Sequence, residues 1–222
     1  ASNHLTDVNT VTFNSGKKGN AAQFTQANLE FLNTSDSADL SMGKEQSFTI
    51  ALWVYITSSD SGGIITKAIG GASSNAEYSL WLTTSQTIDF IVADGTTFTT
   101  VTSGPLTTGT WYFVIAWHDA VNNQINISIN NTTPLTAPHT AGSYDSTAAF
   151  QIGSWGATPP DTQWVFDGRI DEVGIWKRVL TAQERADLYN NNNGNTFTPA
   201  SGQFWAASGA NIYNTNPGNV EV

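Results

Sequence analysis

The sequence predicts an all-β chain, a two-sheet antiparallel sandwich with one short helix near its C-terminal end. Short runs of alternating apolar and polar residues recur along the chain. Gly, Ser, Asn and Thr break them at close intervals, giving about a dozen strands rather than a few long elements. One late segment abandons the two-residue period and carries helix-start chemistry instead.

The elements follow in order. "SFTIALWVYI" puts Phe48, Ile50, Leu52, Val54 and Ile56 on one face and Thr49, Ala51, Trp53 and Tyr55 on the other. "YSLWL" and "TIDFIVA" continue the pattern, and Asp94-Gly95 marks a hairpin turn before "TFTTVT". "WYFVIAWHD" alternates Trp111, Phe113, Ile115 and Trp117 against Tyr112, Val114, Ala116 and His118. "NQINISIN" aligns Ile125, Ile127 and Ile129, and "AAFQIGS" and "WVFDGRIDEVGIW" supply the last strong strands. Thr181 and Glu184 form a T-x-x-E capping box, with Leu180, Glu184 and Leu188 at four-residue spacing and an Asn-rich stop from Asn190 to Gly194. From Asn195 alternation lapses. The expected division is a sandwich domain over 1–194 and a tail or linker toward a further module over 195–222, docked only if Phe204, Trp205 and Tyr213 pack. Opening on "ASNHLTD" and closing on "GNVEV", the chain reads as a piece of something longer.

Composition excludes several classes. The chain has 222 residues, no Cys, and 8 Lys plus Arg against 18 Asp plus Glu, a formal charge of −10. Disulfides and thiolate chemistry are therefore ruled out. So acidic a chain, with no basic stripe in its sequence, repels phosphate backbones, which argues against nucleic acid as a partner. No apolar run is long enough to predict membrane insertion. Only 12% of residues are charged, and the hydroxyl- and amide-rich remainder suits an extracellular β protein.

Catalytic chemistry finds little support. The adjacent acids Asp171 and Glu172 point to opposite faces of a regular strand, so they cannot flank one sugar as a glycosidase pair does. Asp167 and Asp171 share a face but stand about 13 Å apart at roughly 3.3 Å per residue. Asp89 and Asp167 could meet across strands, though no sequence feature requires it. No G-x-S-x-G, Walker, H-E-x-x-H or EF-hand pattern is present. His118 at a strand end suits a polar turn contact, and His4 and His139 fall in polar loops where solvated rings are expected.

Two readings of Asp171 stay open. Strict alternation places it with Val173 and Ile175, toward the interior, where its carboxylate needs a cation, an arginine or backbone amides. A calcium ion with Asp36 and Asp39 as further ligands is one reading. Hydrogen bonds from a loop are the other. Glu172 falls with Ile170 and Trp176. For ligands, the chain offers 8 Trp, 6 Tyr and 11 Phe. Strand aromatics such as Trp53, Trp111 and Trp117 are expected in the core. Loop aromatics are the better sugar platforms: Tyr144 beside Asp145 in "GSYDS", and Trp155 and Trp164 around the Pro159-Pro160 turn.

The segment "FDGRIDEVGIWKRVLTAQERADLY" resembles the closing signature of laminin-G-like domains of the concanavalin A-like superfamily. "GKKGNAAQF", "SFTIALWVYI", "EYSLWL", "TGTWYFVIAWHD" and "FQIGS" match in order, so the resemblance covers roughly 10–194. It implies a jelly roll used for binding glycan or protein, often with a structural calcium ion, for which Asp171 is the matching position. The E-x-D-x-E strand of the glucanase branch is missing, which counts against hydrolysis. The tail "NIYNTNPGNVEV" is similar to stretches that precede chaperone modules in phage tail fibres and bacterial surface proteins, with Glu221 where those have Gly. The expected function is a lectin-like, carbohydrate-binding module of a larger fibre, adhesin or secreted protein, outside the cell, on its surface or on a virion. The alternatives are a structural or protein-interaction module of such a fibre, and an unusual polysaccharide-cleaving enzyme.

Overall fold

A computed structural model of the chain describes residues 4–156 and 164–196, and the backbone alone of 206–208 and 211–213. Within these residues, two seven-stranded sheets pack face to face and a two-stranded hairpin follows. The first sheet runs β1 (Thr6–Val8), β4 (Phe31–Thr34), β13 (Phe150–Ile152), β6 (Gly62–Ala68), β7 (Ala76–Leu82), β8 (Ile88–Ala93) and β9 (Phe98–Thr102). The second runs β12 (Leu135–Pro138), β11 (Gln124–Ile129), β10 (Trp111–Asp119), β5 (Phe48–Ile56), β14 (Gly168–Trp176), β3 (Asn20–Phe24) and β2 (Thr12–Ser15). The jelly-roll sandwich is therefore as the sequence predicts. The Asp94-Gly95 turn closes a four-residue hairpin loop, where the Asp94 carboxylate accepts from the amides of Thr96 and Thr97.

Alternation builds the core. Phe48, Ile50, Leu52, Val54 and Ile56 of β5 face inward with Val114 and Ala116 of β10, and meet Tyr78, Leu80 and Phe90 from the first sheet. The outward residues of β5 and β10 are apolar too, so the second sheet needs a cover on its far side. That cover is α1 (Ala182–Tyr189), whose Thr181 and Glu184 form the expected capping box. Beneath it lie Ala51, Trp53, Phe113, Ile115, Trp117 and Trp176, with Leu180, Leu188 and Tyr189 packed on top. Tyr189 stacks on Trp53 at 5.9 Å, and the Arg185 guanidinium lies 4.4 Å above the Trp117 ring. Trp53 and Trp117 are structural, as alternation predicts.

The regular reading of β14 fails at one residue. Trp53 pairs with Asp171 and Ala51 with Gly174, so β14 carries one extra residue there, and Glu172 turns to φ 49°. Such a bulge inverts the alternation beyond it. Ile170, Val173 and Ile175 all face the core, while Asp171 shares the outer side with Trp53, not the inner side with Val173 and Ile175. Beyond α1, the hairpin of β15 (Ala206–Ser208) and β16 (Asn211–Tyr213) approaches β14 and β3. The side chains of Phe204, Trp205 and Tyr213, on whose packing any docking of the tail was expected to depend, lie outside the described residues, as does the Pro159-Pro160 turn.

Candidate ligand-binding site

Among the described residues, no α-helix lies over the outer face of the first sheet. β7 sends Tyr78, Leu80 and Leu82 into the core and Trp81 outward, where it is half-buried. Trp155, from the segment after β13, is buried beside it, its indole N–H donating to the Gly70 carbonyl at 2.7 Å. The Trp81 and Trp155 rings meet edge to face, 5.5 Å apart at 87°. Trp164 closes the other side, 5.8 Å from Trp81. A Cβ at Gly71 would lie 3.0 Å from the Trp164 ring, so the glycine makes room for that indole. Gly71, Ser73, Ile91 and the three tryptophans enclose a groove of about 210 Å³.

Polar groups stand beside it. Asp89 of β8 is directly across from Trp81 and accepts a 2.7 Å hydrogen bond from the Thr102 hydroxyl. Cross-strand neighbours on one face have Cβ atoms about 5 Å apart, so a carboxylate borders the exposed indole. Tyr144 supports the groove from outside: its hydroxyl donates to the Asn75 carbonyl at 2.6 Å, bracing the turn that carries Ser73, and its ring packs on Gly95. Asp145 is exposed. The structure thus brings Trp155 and Trp164 together, gives Tyr144 a bracing contact, and adds Trp81, which sequence reasoning missed because it alternates like a core residue. The signal that could have found it is its row: Ser79 and Asp89 are its outward neighbours, whereas Trp53 has Ala51 and Phe113.

Comparison with known proteins bears on this geometry. A family model, Laminin_G_3 of the concanavalin A-like lectin/glucanases superfamily, matches residues 10–184. The chain belongs to this family. Among curated proteins none matches. Solved structures similar to this laminin-G-like chain include the binding domain of botulinum neurotoxin serotype G, at 15% identity and a TM-score of 0.66 over 85% of this chain and 46% of that one. The binding domain of Paraclostridial Mosquitocidal Protein 1 aligns at 12% identity and a TM-score of 0.69, over 90% and 50% of the two chains. A heptameric SAP-like pentraxin from Limulus polyphemus aligns at 13% identity and 0.54 over 96% of each. The chain spans about half the length of these two binding domains, and at these identities the likeness is one of fold.

The calcium ion implied by the family resemblance can be tested on the residues that would hold it. Asp171 is buried, and its carboxylate accepts from the Lys18 amide at 2.8 Å and the Glu172 amide at 2.9 Å. Gly16 packs so closely on the Asp171 carboxylate that a Cβ there would collide with it. The Gly16–Gly19 turn therefore wraps the carboxylate in N–H donors. Calcium demands a shell of oxygens, and this donor set does not fit it. Burial outweighs the amide bonds and raises the Asp171 carboxyl to about 6. Asp36 is engaged elsewhere, 2.9 Å from the buried Lys67 ammonium, which also meets Glu77 at 2.8 Å and the Ser146 carbonyl at 2.8 Å. Asp39 lies in the same loop as Asp36. Among the described residues no cluster of three His, Asp or Glu is gathered for a metal.

Among the described residues, the acids and histidines considered for catalysis lie apart or are engaged in packing. Asp89 sits on the first sheet, while Asp167 precedes β14 on the second and accepts from the Gln26 amide. His118 and His139 are buried edge to face, 5.3 Å apart. His118 Nδ1 lies 3.0 Å from the Gln46 carbonyl, and His139 contacts the Thr99 hydroxyl and the Gly142 carbonyl. The expectation of a solvated His139 is thus corrected: the loop folds back over the sandwich edge and encloses it. Burial lowers both imidazole pKa values, which favours the neutral form.

Proposed function

We propose that the chain is a non-catalytic glycan-binding module of an extracellular or surface protein, taking one or two sugar rings in the Trp81–Trp155–Trp164 groove. The groove itself carries this reading. Aromatic rings offer a flat apolar face with a polarised edge, suited to the C–H face of a sugar, while Asp89 and Ser73 stand where hydroxyls would project. At about 210 Å³ the groove suits a small ligand better than a protein surface, since stable protein interfaces cover about 800 Å² per partner. A single shallow site binds weakly, and repeated display in a fibre or adhesin would raise its avidity.

The test is a glycan array followed by titration of the best binder. Trp81→Ala and Trp164→Ala are each expected to weaken binding at least about tenfold, roughly 1.4 kcal/mol, with the melting temperature nearly unchanged. Trp155 is the wrong probe, because its buried ring is part of the packing. Full affinity in the Trp81→Ala, Trp164→Ala double variant would discard this site.

A further inference from the structure

At one end of the far side of the second sheet, Trp111 packs at the margin of the cluster under α1, and the β15–β16 hairpin comes near β14 and β3. There, cross-strand register aligns Gln23 of β3, Arg169 of β14, Tyr55 of β5 and Trp111 of β10 in one outward-facing row. All four are half-buried. The Arg169 guanidinium lies 4.0 Å from the centre of the Tyr55 ring and 5.5 Å from that of Trp111, and the two rings are 5.5 Å apart. Stacking of this kind fixes the plane of the guanidinium.

What Arg169 leaves unused is as informative. It donates one hydrogen bond, from Nη1 to the Ser15 carbonyl at 2.6 Å, and forms no ion pair among the described residues. A guanidinium has five N–H donors in a rigid fork, and among the described residues one of them is taken. By contrast, Lys67 and Arg178 are matched to carboxylates. The Ser15 carbonyl leads directly into Lys17 and Lys18, and Lys17 stands 4.3 Å above the Trp53 ring. Three of the eight Lys and Arg side chains of a chain with formal charge −10 thus gather around one turn. Burial, and then repulsion from Lys18, lower the Lys17 pKa.

We propose that this row is a second binding site, for a saccharide carrying an oxyanion, with the fork of Arg169 on the carboxylate or sulfate and the sugar ring against Trp111. Paired N–H donors match a planar or tetrahedral oxyanion in bidentate fashion, and Lys17 and Lys18 add a positive field. The site takes its ligand class from the glycan reading but uses the opposite sheet, so the two can fail separately.

The experiment titrates the intact chain with a galacturonic-acid oligosaccharide, its carboxyl-reduced neutral form and a sulfated dextran oligosaccharide, at low and at physiological ionic strength. At least one acidic ligand is expected to bind about tenfold tighter than the neutral form, less so at higher salt. Arg169→Gln and Trp111→Ala should each erase that advantage, Arg169→Lys should keep part of it, and Trp81→Ala should leave it intact. Whichever acid gains names the oxyanion. Equal binding of acidic and neutral forms, or an advantage that survives Arg169→Gln at an unchanged melting temperature, overturns the second site. If neutral glycans still bind through Trp81, the glycan reading stands; if no glycan binds through either face, both fall.

Discussion

The two outer faces of the sandwich carry similar residues and meet different fates. On the second sheet, Trp53, Phe113, Trp117 and Trp176 lie under α1. On the first, Trp81 and Trp164 remain half-buried beside the buried Trp155. An outward tryptophan in a strand becomes core or contact surface according to what the chain lays over it afterwards. Here the decisive element is eight residues long and anchored by one capping box. A helix that short has little stability of its own, so it and the apolar face beneath hold each other in place.

The largest effect should come from breaking the covered face. Trp53→Ala removes a fully buried ring along with the stacking surface of Tyr189, and should cost about 3–5 kcal/mol in urea unfolding. Trp81→Ala on the open face should cost less than about 1.5 kcal/mol. Equal costs would mean that the faces do not differ as described.

A smaller effect is expected at the turn that meets β14 beside the covered face. Asp171→Ala leaves the Lys18 and Glu172 amides without their acceptor, and should destabilise by about 2–3 kcal/mol. Chelator should leave the melting temperature of the parent chain unchanged, because the partners of Asp171 are amides. A drop with chelator that disappears in Asp171→Ala would restore calcium to this position.

The smallest effect is a pH trend at the sandwich edge. His118 and His139 have pKa values lowered from 6.5 by burial, so below about 6.5 the unfolded chain binds more protons and stability falls with pH. Asp171 acts in the opposite sense. Its carboxyl, raised to about 6 from 3.8, gives a contribution that is fully present below 3.8 and lost as pH rises through about 6. Comparing His118→Gln with the parent chain cancels the Asp171 trend. The variant should lose less stability between pH 7 and 5, by up to about 1 kcal/mol; parallel curves would assign the trend to other groups.

Much of this fold was legible in the sequence, because alternation in β5 and β10 sorts residues onto faces without tertiary knowledge. The capping box likewise announced α1. Residues whose roles depend on distant packing were not legible. The turn of Glu172 to φ 49° carries no sequence mark, since positive φ is usually met by Gly or Asn, and one such residue reversed the expected orientation of Asp171. His139 looked like a loop residue until the loop folded over it. Trp155 and Trp164 were singled out through their loop setting, but Trp81 could be chosen only once no α-helix was seen over the first sheet among the described residues.

Lys67 has a consequence of its own. Its side-chain nitrogen, enclosed by Asp36, Glu77 and Ser146, is tethered to the chain and so cannot be diluted or chelated away. Two carboxylates that would otherwise have to recruit a counterion from solution are served by one on a covalent tether. At this end of the sandwich, the partner of Asp36 and Glu77 is part of the chain itself rather than an ion drawn from solution.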